Sequence, residues 1–538
     1  MISTKLKIHV ASLCVVFVLG STVFCAGQRE DHVPVFKITS GLVSHQVLQR
    51  DATDRADLDV TGKVTYTGAT SIQIRVLRRH IVVEGFEWAG AGDVKDNVWK
   101  ANVKGLPVGG PYDVQVRVLH AEKTLASASV HDILVGDIWV LAGQSNMVGN
   151  GRLVDLETPH ELVHNFNPRD EWEVAEEPLH SLAESIDEVH WGDAGHLEPL
   201  WAKPGQKATG PLEGEDRARF RRNRQHGTGL ALTFAKEMVQ HTGVPIGLIP
   251  CAHGGTSIEQ WDPALKSAGR RSLYGAMVER VEAVGGRIKG VLWHQGEADM
   301  DHGSAAQYAE RFRNLIEQVR VEFRQPDLPF YYFQISRFVT KDPLAWNQIQ
   351  EVQRMAELSI LNVGMVVSVD QPLDDIIHVS GDGLKVMGQR LSKRVGHDLF
   401  ASVKAYRDLK TGPRPVRAYT KVHHGKLDPW SGDRRTVYVE FSGVNGTLTS
   451  LSRAAGFSLR QPDGTEVVGI FRTLVDAEMP NRVLLEFGLG ISNRPLPAGT
   501  QLWYGWGLNP YCNLTDEENL AVPVFGPMEI EGVATDPE

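Results

Sequence analysis

The sequence predicts an α/β domain on a parallel sheet, with helices on both faces, held between two all-β regions. Three observations predict this fold class. Between about residues 135 and 406, short apolar runs alternate with longer stretches of helical periodicity, the pattern of a sheet whose crossovers are helices. On either side, at 33–134 and 416–535, apolar and polar residues alternate with period two between Gly and Pro clusters, which marks strands and turns. The chain of 538 residues is also too long for one core, while 42% hydrophobic and 23% charged residues give it an ordinary globular composition.

Taken in order, residues 1–26 read as a secretory signal peptide. Lys5 and Lys7 precede an apolar run from Val10 to Leu19, and small residues follow. The run is too short to span a bilayer. The expected location is therefore secreted or periplasmic, with no membrane attachment after cleavage. Cys25 invites a lipoprotein reading, but Phe24 before it is bulky where such signals want a small residue. Residues 33–134 are expected to form a β-sandwich. Ser71-Ile72-Gln73-Ile74-Arg75-Val76 and Tyr112-Asp113-Val114-Gln115-Val116-Arg117-Val118 alternate cleanly, and Pro107-Val108-Gly109-Gly110-Pro111 breaks between runs.

The central region, 135–406, contains expected strands at 138–141, 246–249, 291–293, 330–335 and 363–369. Expected helices lie at 229–241, 271–284, 305–323, 348–360 and 383–399. Residues 151–225 fit this alternation poorly and read as an insertion beside the site; the basic run from Arg217 to Arg224 reads as a solvated helix face. Residues 416–535 return to β texture, as in Thr436-Val437-Tyr438-Val439-Glu440-Phe441.

Charge and cysteine content narrow the class. The net charge is −10 with both signs spread along the chain, so no basic stripe exists for a nucleic-acid partner. Beyond the leader only Cys251 and Cys512 remain, which is no disulfide framework; Cys251, at an apolar strand end, reads as a buried thiol. Asn445-Gly446-Thr447 and Asn513-Leu514-Thr515 are formal glycosylation acceptors.

Four segments carry chemistry. Gly143-Gln144-Ser145-Asn146-Met147 follows the first strand, with Gly143 and Gly149 allowing a tight turn. Ser145 could be a helix N-cap or a nucleophile whose own N–H stabilises an oxyanion. Ala252-His253-Gly254-Gly255-Thr256-Ser257 follows the second strand and can supply a glycine N–H to the same hole. Trp293-His294-Gln295-Gly296-Glu297 follows the third; Gln295 offers an amide donor and Glu297 can orient neighbours. Asp375-Ile376-Ile377-His378 follows the last. Three residues of spacing let a carboxylate accept the imidazole Nδ1–H and leave Nε2 for the serine. Asp374 and Asp370 compete for that orienting role. All four segments belong at one edge of a parallel sheet, where open α/β sheets place ligands.

Two strings imitate metal sites. His160-Glu161-Leu162-Val163-His164 matches the zinc-protease motif, but Pro159 and Pro168 leave no room for the helix that must carry both histidines. His190, Asp193 and His196 lie in what reads as a loop. No metal and no cofactor is expected. The α/β-hydrolase string Gly-x-Ser-x-Gly is also absent around Ser145.

Together the four segments resemble the SGNH/GDSL-like hydrolases, in particular the sialate O-acetylesterase and carbohydrate esterase family 6 type. Val47-Leu48-Gln49-Arg50 and Pro523-Val524-Phe525-Gly526-Pro527 resemble the flanks of that type. The sequence departs from the pattern at His294, where many relatives have an aromatic, and at Val379, where many have proline. The resemblance implies a three-layer, flavodoxin-like α/β/α core and a secreted serine esterase that removes O-acetyl groups from carbohydrate. It implies Ser145, His378 and Asp375 as catalytic residues, an oxyanion hole from Ser145, Gly255 and Gln295, and support from Gln144, Asn146 and Glu297. An acetylated carbohydrate is then the expected partner. Acetylxylan or another plant polysaccharide is the alternative substrate, and a non-catalytic carbohydrate-binding protein the alternative class.

Overall fold

The computed structural model describes residues 34–191, 210–342, 344–423, 434–488 and 494–532; the expected leader lies outside them. The central sheet is built from β1 (Lys123–Gly143), β2 (Val163–Phe166), β3 (Trp172–Val174), β4 (Ile246–Pro250), β5 (Gly290–His294), β6 (Phe330–Gln334) and β7 (Val363–Val367). Its order is β3-β2-β4-β1-β5-β6-β7, parallel throughout except for the edge pair β2/β3.

The helices are α1 (Ser145–Val148), α2 (Gly214–Asn223), α3 (Ala231–Thr242), α4 (Leu273–Ala283), α5 (His302–Glu322), α6 (Trp346–Ser359) and α7 (Gly381–Leu399). Ser272, Asp301 and Ser380 accept first-turn N–H groups and start α4, α5 and α7. Gly243, at φ 69°, closes α3.

The apolar run of β1 is explained by burial on both faces. Ile138, Val140 and Ala142 enter a core shared with α4, α5 and α6. Trp139 and Leu141 enter the opposite core, with Phe234 of α3 and Leu384, Met387 and Leu391 of α7.

The stretch 151–225 contributes more than a surface insertion: it supplies β2, hydrogen-bonded between β3 and β4. The basic run is not simply a solvated face either. Arg219 and Arg222 of α2 are exposed, but Arg217 and Arg221 both bond the buried carboxylate of Glu184.

β1 also passes through the expected boundary at 134/135 without a break. Its first half pairs with the strand Gly109–His120 and its second half with β4 and β5, so a continuous strand joins the N-terminal sheet to the central one. Trp99, Val114, Val116 and Ile133 centre a separate N-terminal core. The Val47-Leu48-Gln49-Arg50 string pins the start of this inner half: Val47 to Gln49 pair parallel with it, and Arg50 bridges to buried Asp137 at 2.7 Å. At the other end of the chain, an eight-stranded sheet shares the core of α6, with Val437, Leu485 and Phe525 beside Trp346 and Ile349. The Gln334 amide locks the second flank in place, donating to Val524 O at 2.8 Å and accepting from Val524 N at 2.9 Å.

Cys251 and Cys512 are buried free thiols. Asn445 is buried against Asp516, its amide donating at 2.7 Å. No described helix is long and apolar enough to cross a membrane.

Candidate active site

The four segments meet at the C-terminal edge of the central strands. Gly143 ends β1 at φ 124°, where a Cβ would fall 2.2 Å from His294 O, so only glycine lets the chain turn at this point. Gln144 N donates to that same carbonyl at 2.8 Å. Gln144 occupies the N-cap of α1 with no side-chain cap bond, and Ser145 is the first helical residue; the N-cap alternative for Ser145 does not hold. Instead the Gln144 Oε1 accepts Gly296 N at 3.3 Å and Ala298 N at 3.2 Å, which fixes the serine loop to the loop after β5.

Across from it, His253 N donates to Gly143 O at 3.0 Å. A Cβ on Gly254 would lie 3.6 Å from Ser145 Cβ, whereas Gly255, at φ 71°, faces open space. Among the described residues, the N–H groups of Ser145 and Gly255 donate to no protein acceptor, so both remain available to an oxyanion.

The Asp375/His378 pair forms one tight turn between β7 and α7. Asp375 Oδ1 accepts the N–H groups of Ile377 at 2.8 Å and His378 at 2.7 Å, and Oδ2 accepts His378 Nδ1 at 2.6 Å. A carboxylate partner makes Nδ1 the protonated nitrogen and leaves Nε2 as the base. Burial raises the Asp375 pKa somewhat, but the His378 bond and the two backbone bonds outweigh it and hold it below the ordinary range. The competitors are committed elsewhere. Asp370 makes a buried pair with Arg390 at 2.6 Å, and Asp374 accepts Arg152 N and Gly381 N.

Asn146 joins the two halves. Its Oδ1 accepts the N–H of Val379 at 3.0 Å and its Nδ2 donates to Glu297 Oε1 at 2.7 Å. The residue after the serine is thus bonded to the residue after the histidine. Among the described residues no hydrogen bond joins Ser145 Oγ directly to His378; such bonds commonly tighten only around substrate. Burial alone would push the Glu297 carboxyl up, but the His294 ring, 3.4 Å away, and the Asn146 amide hold it below the ordinary range.

Gln295 corrects the expectation of a third oxyanion donor. It is fully buried, and both amide hydrogens are used, on Thr256 O at 3.0 Å and Asp299 Oδ2 at 2.5 Å. Its Oε1 accepts Tyr308 OH at 3.1 Å. In this arrangement Gln295 braces the glycine loop and has no hydrogen left for an oxyanion. Asp299 and Tyr308 were not legible as site residues, because nothing in their spacing distinguishes them from ordinary helix residues. Burial lifts Asp299 to about 6 against the bonds from Gln295 and Ile258.

A second missed feature is a buried histidine pair, His190 and His253, stacked at 4.9 Å with Nδ1 atoms 2.6 Å apart. It joins the 151–225 segment to the glycine loop. The zinc-like string forms a turn and β2 instead of a helix, and His164 Nδ1 bonds His45 O at 2.6 Å. Asp193 and His196 lie outside the described residues.

Residues 135–396, which include all four segments, match the family model described as carbohydrate esterase, sialic acid-specific acetylesterase. A probable carbohydrate esterase of Arabidopsis thaliana is 30% identical over 269 residues, 48% of this chain and 88% of that protein. The sialate O-acetylesterase of Homo sapiens is 24% identical over 312 residues, 51% of this chain and 55% of that protein; the match spans just over half of that relative. Among solved structures, a carbohydrate acetylesterase from Xanthomonas citri aligns over 91% of this chain and 99% of its own, with a TM-score of 0.58 at 22% identity, a likeness of fold.

Proposed function

Since the chain belongs to the carbohydrate esterase, sialic acid-specific acetylesterase family, we propose that it hydrolyses O-acetyl esters on carbohydrate by a Ser-His-Asp mechanism. His378 Nε2 takes the Ser145 proton and Ser145 Oγ attacks the acetyl carbonyl. The N–H groups of Ser145 and Gly255 hold the oxyanion. His378 then protonates the departing sugar hydroxyl, and water repeats the cycle on the acetyl-enzyme. Asp375 keeps the imidazole in the productive tautomer and stabilises its charged form. Asn146, anchored on Glu297, holds the serine and histidine loops in register.

One observation carries this reading. The 2.6 Å Asp375–His378 pair sits on a loop whose next residue, Val379, is bonded to the side chain next to Ser145. The test is acetate release from acetylated sialic acid, xylan and pectin, with p-nitrophenyl acetate as a general ester. Wild type should turn over at least one acetylated carbohydrate, and Ser145→Ala none. Silence of the wild type toward every ester, with glycan binding retained, would favour the non-catalytic reading.

We also propose that the protein is exported, on the strength of the charged start and apolar run before residue 26. N-terminal sequencing of the exported protein should begin near residue 26 or 27; retention of Met1 would refute it.

A further inference from the structure

A cavity of about 870 Å³ lies between α5, α6 and the C-terminal β region. None of the catalytic residues lines it. Its walls are held in place by hydrogen bonds: Asn347 of α6 donates to Gly505 O at 3.0 Å and accepts Gly507 N at 2.8 Å, while Phe338 N donates to Leu508 O at 2.7 Å. Such a groove is pre-formed.

The groove begins at the catalytic edge of the sheet. One end is formed by His302, five residues beyond Glu297, and by Ala345, whose N–H donates to Met300 O at 2.9 Å. From there it follows α6, whose 14 residues span about 20 Å. The loop after β5 that leads to this end is the one on which Gln144, beside Ser145, is anchored.

The lining chemistry selects the kind of polymer. Trp503 and Trp506 stand edge to face, with centroids 4.5 Å apart. Arg460 lies 4.7 Å over the Trp506 ring, and a Cβ on Gly526 would fall 2.5 Å from Trp503 Cδ2, so protein covers part of each indole. Both indoles are only half-buried and line the cavity. Neither indole N–H has a protein acceptor among the described residues. Flat apolar rings beside hydrogen-bonding groups match the apolar face and hydroxyl edge of a pyranose.

Charge narrows the choice further. Glu310, Asp342 and Arg313 on the rim take part in no ion pair among the described residues; Arg313 is held in place by the neutral acceptors Ser359 O and Oγ, and the rim carboxylate of Glu351 is paired with Arg354. Two unpaired carboxylates against one unpaired guanidinium leave the rim with a net negative charge, which disfavours a polyanion, and the carboxylates accept hydroxyl hydrogens. We infer that this groove binds the backbone of a neutral polysaccharide, beyond the sugar whose ester is cut. The inference rests on the esterase reading for its biological substrate, but binding can be read on its own.

The experiment is affinity electrophoresis in gels holding deacetylated xylan, xyloglucan or polygalacturonate, with wild type, Ser145→Ala, Trp506→Ala and Met355→Trp. Met355 is 44% exposed on α6, so an indole at that position fills the groove without repacking the core. Wild type and Ser145→Ala should be retarded by a neutral glycan and not by polygalacturonate. Trp506→Ala and Met355→Trp should each weaken that binding about tenfold, the scale of one lost stacking face. They should also lower the ratio of kcat/KM on the acetylated polymer to that on p-nitrophenyl acetate by a similar factor. The inference is overturned if wild type binds no neutral glycan, if polygalacturonate binds equally well, or if both groove variants bind like wild type. If wild type releases no acetate from any ester while the groove variants still lose retardation, the esterase reading fails and the groove stands.

Discussion

At the scale of single residues, groups that touch the reacting atoms differ from groups that only hold them, and mutation should tell the two apart. Asp375→Asn removes the acceptor that makes Nδ1 the protonated nitrogen, so kcat should fall by about 10²–10⁴-fold with little change in melting temperature, because Asp375 is half-exposed. Asn146→Ala leaves the Ser145 and His378 side chains unchanged but cuts the tie from Val379 to Glu297. It should lower kcat by about 10–100-fold with KM nearly constant, as for a loss of positioning. Gln295→Ala should lower stability and kcat together, since it removes the amide donor to Thr256 O and one of the two donors to Asp299 Oδ2, and leaves Tyr308 OH only the backbone carbonyl of residue 295 as acceptor. A pure oxyanion donor would instead cost about 10²–10³ in kcat at constant stability, and that outcome would make Gln295 a donor to the oxyanion and not a brace. The bond between Asp375 and His378 was legible because it depends on local spacing. The commitment of the Gln295 amide was not, because its partners lie at positions 256, 299 and 308.

At the scale of elements, strands buried on both faces announce themselves as unbroken apolar runs; β4, β5, β6 and β7 were read from them to within a few residues, and of β1 only the inner end at 138–141, since its outer part from Lys123 alternates in burial. β2 was missed for the opposite reason. Its centre is His164-Asn165, two buried polar residues, and the string around it imitates a helix motif. Only tertiary partners, such as His45 O for the His164 ring, make that strand tolerable. The junction of β1 with α1 depends on one glycine. Gly143→Ala sets a Cβ against His294 O in a left-handed backbone, so it should destabilise the fold by about 3 kcal/mol or more in chemical denaturation. A variant as stable as wild type would mean that the serine loop is not seated against β5.

At the scale of the whole molecule, buried titratable groups set the pH response. Burial lowers His164 to about 4 and His180 and His190 to about 3, and it lowers His253 as well. These rings stay neutral in the fold while the unfolded chain takes up protons below about 6.5, so stability is lost as pH falls below that value. Glu177 acts in the opposite sense. Burial lifts it to about 7 from 4.5, despite bonds from Gly229 N and Leu179 N. It is therefore protonated in the fold and ionised in the unfolded chain between those values, and its contribution is lost as pH rises through about 7. Melting temperature should fall from pH 7 toward pH 4.5 in wild type. The gain from Glu177→Gln should grow from pH 5 to pH 8; a gain independent of pH would show that Glu177 does not titrate there. Above all, Ser145, His378 and Asp375 must act as one unit, and a crystal structure of the protein after reaction with a phosphonate ester would reveal whether they do. Phosphorus should be found on Ser145 Oγ, its oxygen accepting the N–H groups of Ser145 and Gly255, with His378 Nε2 within about 3.2 Å of the adduct. An adduct on another residue, or a His378 ring turned away from Ser145, would show that the three residues form no such unit.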